Sequence, residues 1–241
     1  MTVKEEVLKN LMAALERESK IDLHHHPIEA DFNDGILTLE GAVKDIAAKK
    51  LTLEIGAAVS SVTGIVDRLK VAAVEHMTDE VILEHVRDAL IQEPALSNCA
   101  VRLRLADRIE IIREPPTGSA GTVEIAVENG DVLLEGRVPS LSHKRLAGTL
   151  AWWVPGTQNV LNCMIVEPPE EDSDDEMTDA LRLVLEKDPF VNADQIRVTS
   201  NNRTVTLQGL VSSEAESQMA EQDAWYIFGV DRVVNKLEVH Q

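Results

Sequence analysis

Three segments of this chain share one short pattern: Leu39-Glu40-Gly41-Ala42-Val43, Leu134-Glu135-Gly136-Arg137-Val138 and Leu207-Gln208-Gly209-Leu210-Val211. The register behind the pattern holds without a gap. Gly41 and Asp67, Gly136 and Asn162, and Gly209 and Asn235 each stand 26 positions apart, and each later residue opens an alternating run, at 67–71, 162–166 and 235–239. Two residues past each valine come Asp45, Ser140 and Ser213. Their side chains can accept from the free N–H groups of a first helical turn, and Ser213 with Glu216 fits a capping box. Six residues before Asp67, Asn162 and Asn235 lie Ser61, Gly156 and Gly229, where glycine suits the left-handed residue that ends a helix. A chain that repeats in this way folds as an array of like units.

Each unit begins with an amphipathic helix. The apolar stripes are Val7, Leu8, Leu11, Met12 and Leu15; Val81, Ile82, Val86, Ala89 and Leu90; and Met177, Ala180, Leu181, Val184 and Leu185. Thr2 with Glu5, Thr78, and Ser173 with Glu176 mark the starts. An alternating strand follows, carrying Ile28 and Ala30, Ile125 and Val127, or Ile196 and Val198. Turns through Asn33-Asp34-Gly35, Glu128-Asn129-Gly130 and Asn201-Asn202 favour a hairpin, because these residues tolerate positive φ. The unit is therefore helix, strand, strand, helix, strand. Two helices can cover one face of its sheet, and the other face looks to a neighbouring unit or another molecule. The repeats span 1–76, 77–166 and 177–241, with an acidic linker at 167–176 between the last two.

The pattern L-x-G-x-V, a capping residue, a helix and then Gly-Val-x-x-Val-x-Asn-x-Leu-x-Val resembles the BON domain. The third repeat carries it most fully, in Gly229-Val230-Asp231-Arg232-Val233-Val234-Asn235-Lys236-Leu237-Glu238-Val239. The second departs at Pro155 and Thr157, the first at Ser61 and Asp67. The resemblance implies an α+β fold: three tandem α-β-β-α-β sandwich units, each with two helices on one face of a three-stranded mixed sheet. It also implies a bacterial, non-enzymatic protein of envelope stress or osmotic adaptation. Phospholipid surfaces, other macromolecules or, in a cytoplasmic case, potassium ions are the partners implied, and no catalytic residue is.

The repeats differ in two informative ways. Leu90 to Gly136 spans 46 positions, whereas Leu15 to Gly41 spans 26 and Leu185 to Gly209 spans 24. The second repeat thus holds an insertion near 99–121. Its alternation of arginine and apolar residues, through Arg102, Arg104 and 108–113, predicts extra strands, a hairpin extending the sheet. Pro115, Pro116 and Gly118 follow. An exposed edge there could dock a partner strand, with Arg102 and Arg104 as its basic groups. In addition, Trp152 and Trp153 of the second repeat match Trp225 and Tyr226 of the third, where the first has Ala57 and Ala58. These rings either pack between repeats or form an amphipathic rim for a ligand or a membrane interface.

Other features point to no chemistry. His24, His25 and His26, placed on a strand, could offer at most two ligands to one ion, too few for a structural zinc site. The run Glu167 to Asp179 holds eight acidic groups and no basic one, lacks the spacing of a calcium loop and reads as a solvated linker. Cys99 and Cys163 show no metal-type spacing and read as buried or half-buried thiols. No nucleophile motif, zincin motif or phosphate loop is present, so neither an enzyme nor a bound cofactor is expected. A net charge of −19 disfavours nucleic acid, and no apolar run reaches the roughly 20 residues of a membrane span. No secretory leader is evident, which places the chain in the cytoplasm, or in the periplasm if a leader has been removed. The expected role is a non-catalytic binding or scaffold protein using open sheet faces and the insertion. A lipid-surface binder acting through Trp152, Trp153, Trp225 and Tyr226, or a potassium-responsive sensor, is the alternative.

Overall fold

The computed structural model describes residues 2–73, 76–115 and 118–240, and Pro116 of the insertion lies outside them. The chain forms two compact bodies, Met1–Ala72 and Ala73–Gln241. The first body is one unit: α1 (Val3–Leu15), β1 (Ile28–Asn33), β2 (Ile36–Val43), α2 (Ile46–Ala58) and β3 (Gly64–Val71). β1 runs antiparallel to β2, and β2 parallel to β3. Val7, Leu11 and Leu15 of α1 are buried together with Leu37, Leu39 and Leu69 of the sheet. That is what a helical stripe and a period-two strand produce when they share a core.

The second body holds the other two units. The second repeat comprises α3 (Asp79–Gln92), β4 (Cys99–Arg104), β5 (Ile109–Arg113), β6 (Gly121–Glu128), β7 (Asp131–Val138), α4 (Leu141–Trp152), β8 (Asn159–Asn162) and β9 (Ile165–Val166). The third comprises α5 (Asp174–Lys187), β10 (Ile196–Asn201), β11 (Thr204–Val211), α6 (Glu214–Tyr226) and β12 (Arg232–Val239). Its sheet, β10-β11-β12, repeats the mixed three-stranded topology of the first body. The second repeat enlarges that core to six strands. The insertion adds the antiparallel β4–β5 hairpin, with β4 joined parallel to β6, and the final strand is split into β8 and β9 along β7.

The repeated signatures have plain structural reasons. Thr2, Asp45, Thr78, Ser140, Ser173 and Ser213 all cap helices as their spacing implies. The hairpin turns put Asp34 and Gly35, Asn129 and Gly130, and Asn202 and Arg203 at positive φ. The glycine of L-x-G-x-V stands at φ +140°, +112° and +148° in the three repeats. There a side chain would meet the backbone of the facing strand: a Cβ on Gly209 would lie 2.0 Å from the Gln195 carbonyl oxygen. Gly209→Ala is therefore expected to lower stability by about 3 kcal/mol, because the φ and the backbone contact are both unfavourable. Urea unfolding checks this, and a loss below about 0.5 kcal/mol, the usual size of a surface substitution, would contradict it.

The recurring Asn is also structural. Asn235 Nδ2 donates to the Ser217 carbonyl at 3.3 Å and Asn162 Nδ2 to the Lys144 carbonyl at 2.7 Å, tying the last strand to the second helix. Where the first repeat has Asp67, the buried Lys49 answers it, at 3.0 Å from the carboxylate and 2.6 Å from the Leu69 carbonyl.

Four expectations change. Among the described residues only Thr2 and Glu5 close a reciprocal capping box. Glu216 instead accepts from Asn192 N and from Ser212 N and Oγ, because the loop after α5 presents the nearer donors. The histidines lie in a turn, not a strand, with His25 Nδ1 2.7 Å from Asp22. Cys163 is exposed, since the break between β8 and β9 turns Met164 inward in its place; Cys99 is buried, and burial pushes its thiol pKa up. The acidic run, finally, is not simply solvated. Glu170 accepts from Leu141 N at 2.8 Å, Asp172 holds Arg145, and Glu176 accepts from Ser142 Oγ at 2.8 Å. The first turn of α4 offers free donors, and the acids take them.

Candidate functional site

The second body brings two regions to attention: the seam between its repeats and the edge made by the insertion. α4 packs against both α5 and α6, so this helix is covered on more than one side. Along it, Leu141, Arg145, Gly148 and Thr149 are buried, with Arg145 on the stripe where an apolar residue is expected. Its side chain is 0% exposed. Nη2 donates to Asp172 Oδ1 at 2.5 Å, Nε donates to the Phe228 carbonyl at 3.0 Å, and Nη1 lies 3.6 Å from Glu176. Lys187 adds a second pair across the seam, 2.9 Å from the buried Glu93, and Lys144 stands 4.6 Å over the Phe228 ring.

The aromatic residues singled out by sequence meet at one end of this seam, but not as a symmetric set. Trp152 stacks on Tyr226, with ring centroids 5.6 Å apart and planes 17° from parallel. Trp153 Nε1 donates to Asp223 Oδ1 at 2.8 Å. Trp225 is 1% exposed and part of the core of the third repeat. It cannot meet a ligand or a bilayer, which corrects its place among the binding residues. The other three rings line an open cleft of about 340 Å³ together with Phe190, Asp188 and Asp223.

Asp223 is the unusual group in that cleft. Burial pushes its carboxyl pKa up to about 8, against the opposing pull of the Trp153 N–H and with a further push from Asp188. Among the described residues its Oδ2 finds no donor, and an oxygen left so in a buried place favours the protonated carboxyl. Asp188 ends α5 and accepts from Phe190 N at 2.8 Å. Neither Arg145 nor this carboxyl pair was picked out by sequence reasoning. The available signal was a charged residue on a buried helical stripe: Asp223 sits beside Ala220 and Ala224 as Arg145 sits beside Leu141 and Thr149.

The insertion does not present Arg102 and Arg104 as a free basic edge. β4 is interior, flanked by β5 and β6. Arg102 Nη2 is 2.8 Å from Glu114, and Arg104 bridges Glu124, at 2.6 Å, and Glu135. Arg113 turns inward, donating to the carbonyls of Ile91, Leu96 and Cys99. The edge strand is β5, and its open-face residues are Ile109 and Ile111, 56% and 59% exposed. Edge charges are general in this chain, with Glu29 and Asp31 in β1, Asp67, Arg68 and Lys70 in β3, Arg197 in β10 and Arg232, Lys236 and Glu238 in β12; β5 carries Glu110 between its two exposed isoleucines.

Among the described residues no group of three or more His, Cys, Asp or Glu could hold a metal ion, and no helix is long and apolar enough to cross a membrane. No curated protein matches the chain. Among solved structures, two of CdsD, a structural protein of the type III secretion system of Chlamydia trachomatis, are similar to it. One, of the C-terminal domain, is 15% identical, covering 100% of this chain and 99% of that one with a TM-score of 0.25. The other is 16% identical, covering 97% and 91%, with a TM-score of 0.23. Scores that low carry no functional argument. The BON domain model matches residues 4–73, 110–168 and 173–241, its second match omitting α3 and β4. With three matches over most of its length, the chain belongs to the BON domain family.

Proposed function

We propose that this chain is a non-catalytic scaffold of the bacterial stress-adaptation type, which binds a protein partner by adding an extended segment of it to β5. The observation that carries this reading is an uncovered edge strand bearing two adjacent exposed isoleucines, Ile109 and Ile111, on its open face. Such an edge supplies main-chain hydrogen bonds along its length and apolar contacts at alternate residues. β8 and β9 also expose Leu161 and Ile165, but strands of four and two residues with a break between them make a poor template. A lipid-surface role ranks behind, since Trp152, Trp153 and Tyr226 line a concave cleft and Trp225 is buried.

Ile109→Lys with Ile111→Lys tests the reading without touching the core. Recovery of partners from cells by the tagged full chain is expected to fall at least tenfold, with an unchanged far-ultraviolet spectrum. Equal recovery by the variant would overturn strand addition at this edge. Potassium sensing is separated by thermal melts: an ion that binds the folded state must raise Tm, whereas a scaffold melts alike in equal potassium and sodium chloride.

A further inference from the structure

The cleft at the seam is a second site, independent of β5, and its chemistry selects a ligand. Its walls are the stacked rings of Trp152 and Tyr226, with Trp153 and the exposed Phe190 beside them. Its polar floor is the pair Asp188 and Asp223, side chains of residues only 7% and 2% exposed. Among the described residues no lysine, arginine or histidine lines it. We propose that this cleft binds a small organic cation with a methylated ammonium head. Aromatic faces attract a cation through the negative face of the ring, and most strongly one whose charge is spread over methyl groups and cheaply dehydrated. The two carboxyl groups behind those rings offer a cation a partner that a neutral ligand cannot use. A volume of about 340 Å³ admits a cation of choline size and is at the small end of ligand pockets. The linker and the third repeat together, residues 167–241, hold 17 acidic against 6 basic groups, and their field draws cations toward the cleft. A neutral apolar ligand would gain the rings but nothing from the acids. A hard metal ion would find only two carboxyl groups, with no third His, Cys, Asp or Glu beside them among the described residues.

The test uses the full chain and choline as probe, read by tryptophan fluorescence and by calorimetry. Three rings of the cleft are indoles or stack on one, so occupancy changes the emission. Saturable binding is expected with half-saturation below about 5 mM, the range a single aromatic and charge contact reaches. On the same unmodified chain, 3,3-dimethylbutan-1-ol, the neutral isostere of choline, is expected to bind at least tenfold more weakly. Sodium and potassium at equal concentration should leave the emission unchanged. The double variant Asp188→Asn with Asp223→Asn keeps an acceptor for Phe190 N and for Trp153 Nε1 while removing the charge, and should weaken choline at least fivefold. Trp152→Leu should weaken it as well. No saturable response to 100 mM choline would overturn the proposal, as would equal binding of the neutral isostere or unchanged choline affinity in the double variant. Loss of partner recovery at β5 would leave all these readings as they are, so the two sites fail or stand separately.

Discussion

Replacing Arg145 by alanine is expected to cost the second body about 4 kcal/mol and to split its unfolding into two transitions. The guanidinium is fully buried between the second and third repeats and bridges Asp172, Glu176 and the Phe228 carbonyl. Truncation leaves that carbonyl and two acidic groups without their cation, and a void where the side chain lay. Other side-chain contacts across the seam, Lys187 with Glu93, Trp153 with Asp223 and Lys144 with Phe228, each join one group to one other, whereas Arg145 joins three. The second and third repeats should then unfold separately. Urea titrations followed by far-ultraviolet dichroism and by tryptophan emission would show it as non-coincident curves. A single coincident transition with less than about 1 kcal/mol lost, the scale of an exposed ion pair, would contradict the role given to Arg145.

The second large effect is on pH. Asp223 has its pKa raised from an ordinary 3.8 to about 8 in the folded chain. Below the unfolded value both states are protonated, and this group's contribution to stability is fully present. As pH rises from 4 toward 8 the unfolded chain releases its proton while the folded chain keeps it, so stability falls, by up to about 5 kcal/mol by pH 8. Above pH 8 the loss levels off. Asp223→Asn removes the titration and still accepts from Trp153 while donating to Asp188. The variant should therefore gain on the parent steadily between pH 4 and pH 8 and hold that gain above it. Unfolding free energies at pH 4, 6, 8 and 9 check the trend. A difference between the two proteins that is flat across the range would show that Asp223 is not held protonated.

Much of the fold was legible because its determinants are local or periodic. The glycines of L-x-G-x-V recur at fixed spacing, since each must pass close to a facing backbone, and a repeat makes such a constraint visible three times. The insertion was readable as strands from the alternation in 101–113. What escaped depends on which donor lies nearest in three dimensions. Glu216 and Glu176 have capping-box spacing, yet each is drawn elsewhere, the one to the loop at Asn192, the other to Ser142 and Arg145 of the neighbouring repeat. The aromatic residues illustrate both sides. Their clustering at the repeat ends was plain, but Trp152 pairs with Tyr226 and not with its own equivalent, and Trp225 turns into the core. The repeats are alike in sequence, but they meet without matching like to like, and only packing shows which ring faces out.

The central claim is that β5 takes up a partner strand. Hydrogen exchange tests it most directly, measured on the full chain alone and on the complex it carries out of cells. An edge strand lacks the bonds that slow exchange on its outer side, and a docked strand supplies them. The account predicts at least tenfold slower exchange across 109–113 in the complex, with α3, α4 and the first body unchanged. Unchanged exchange in β5, with new protection elsewhere on the chain, would contradict it.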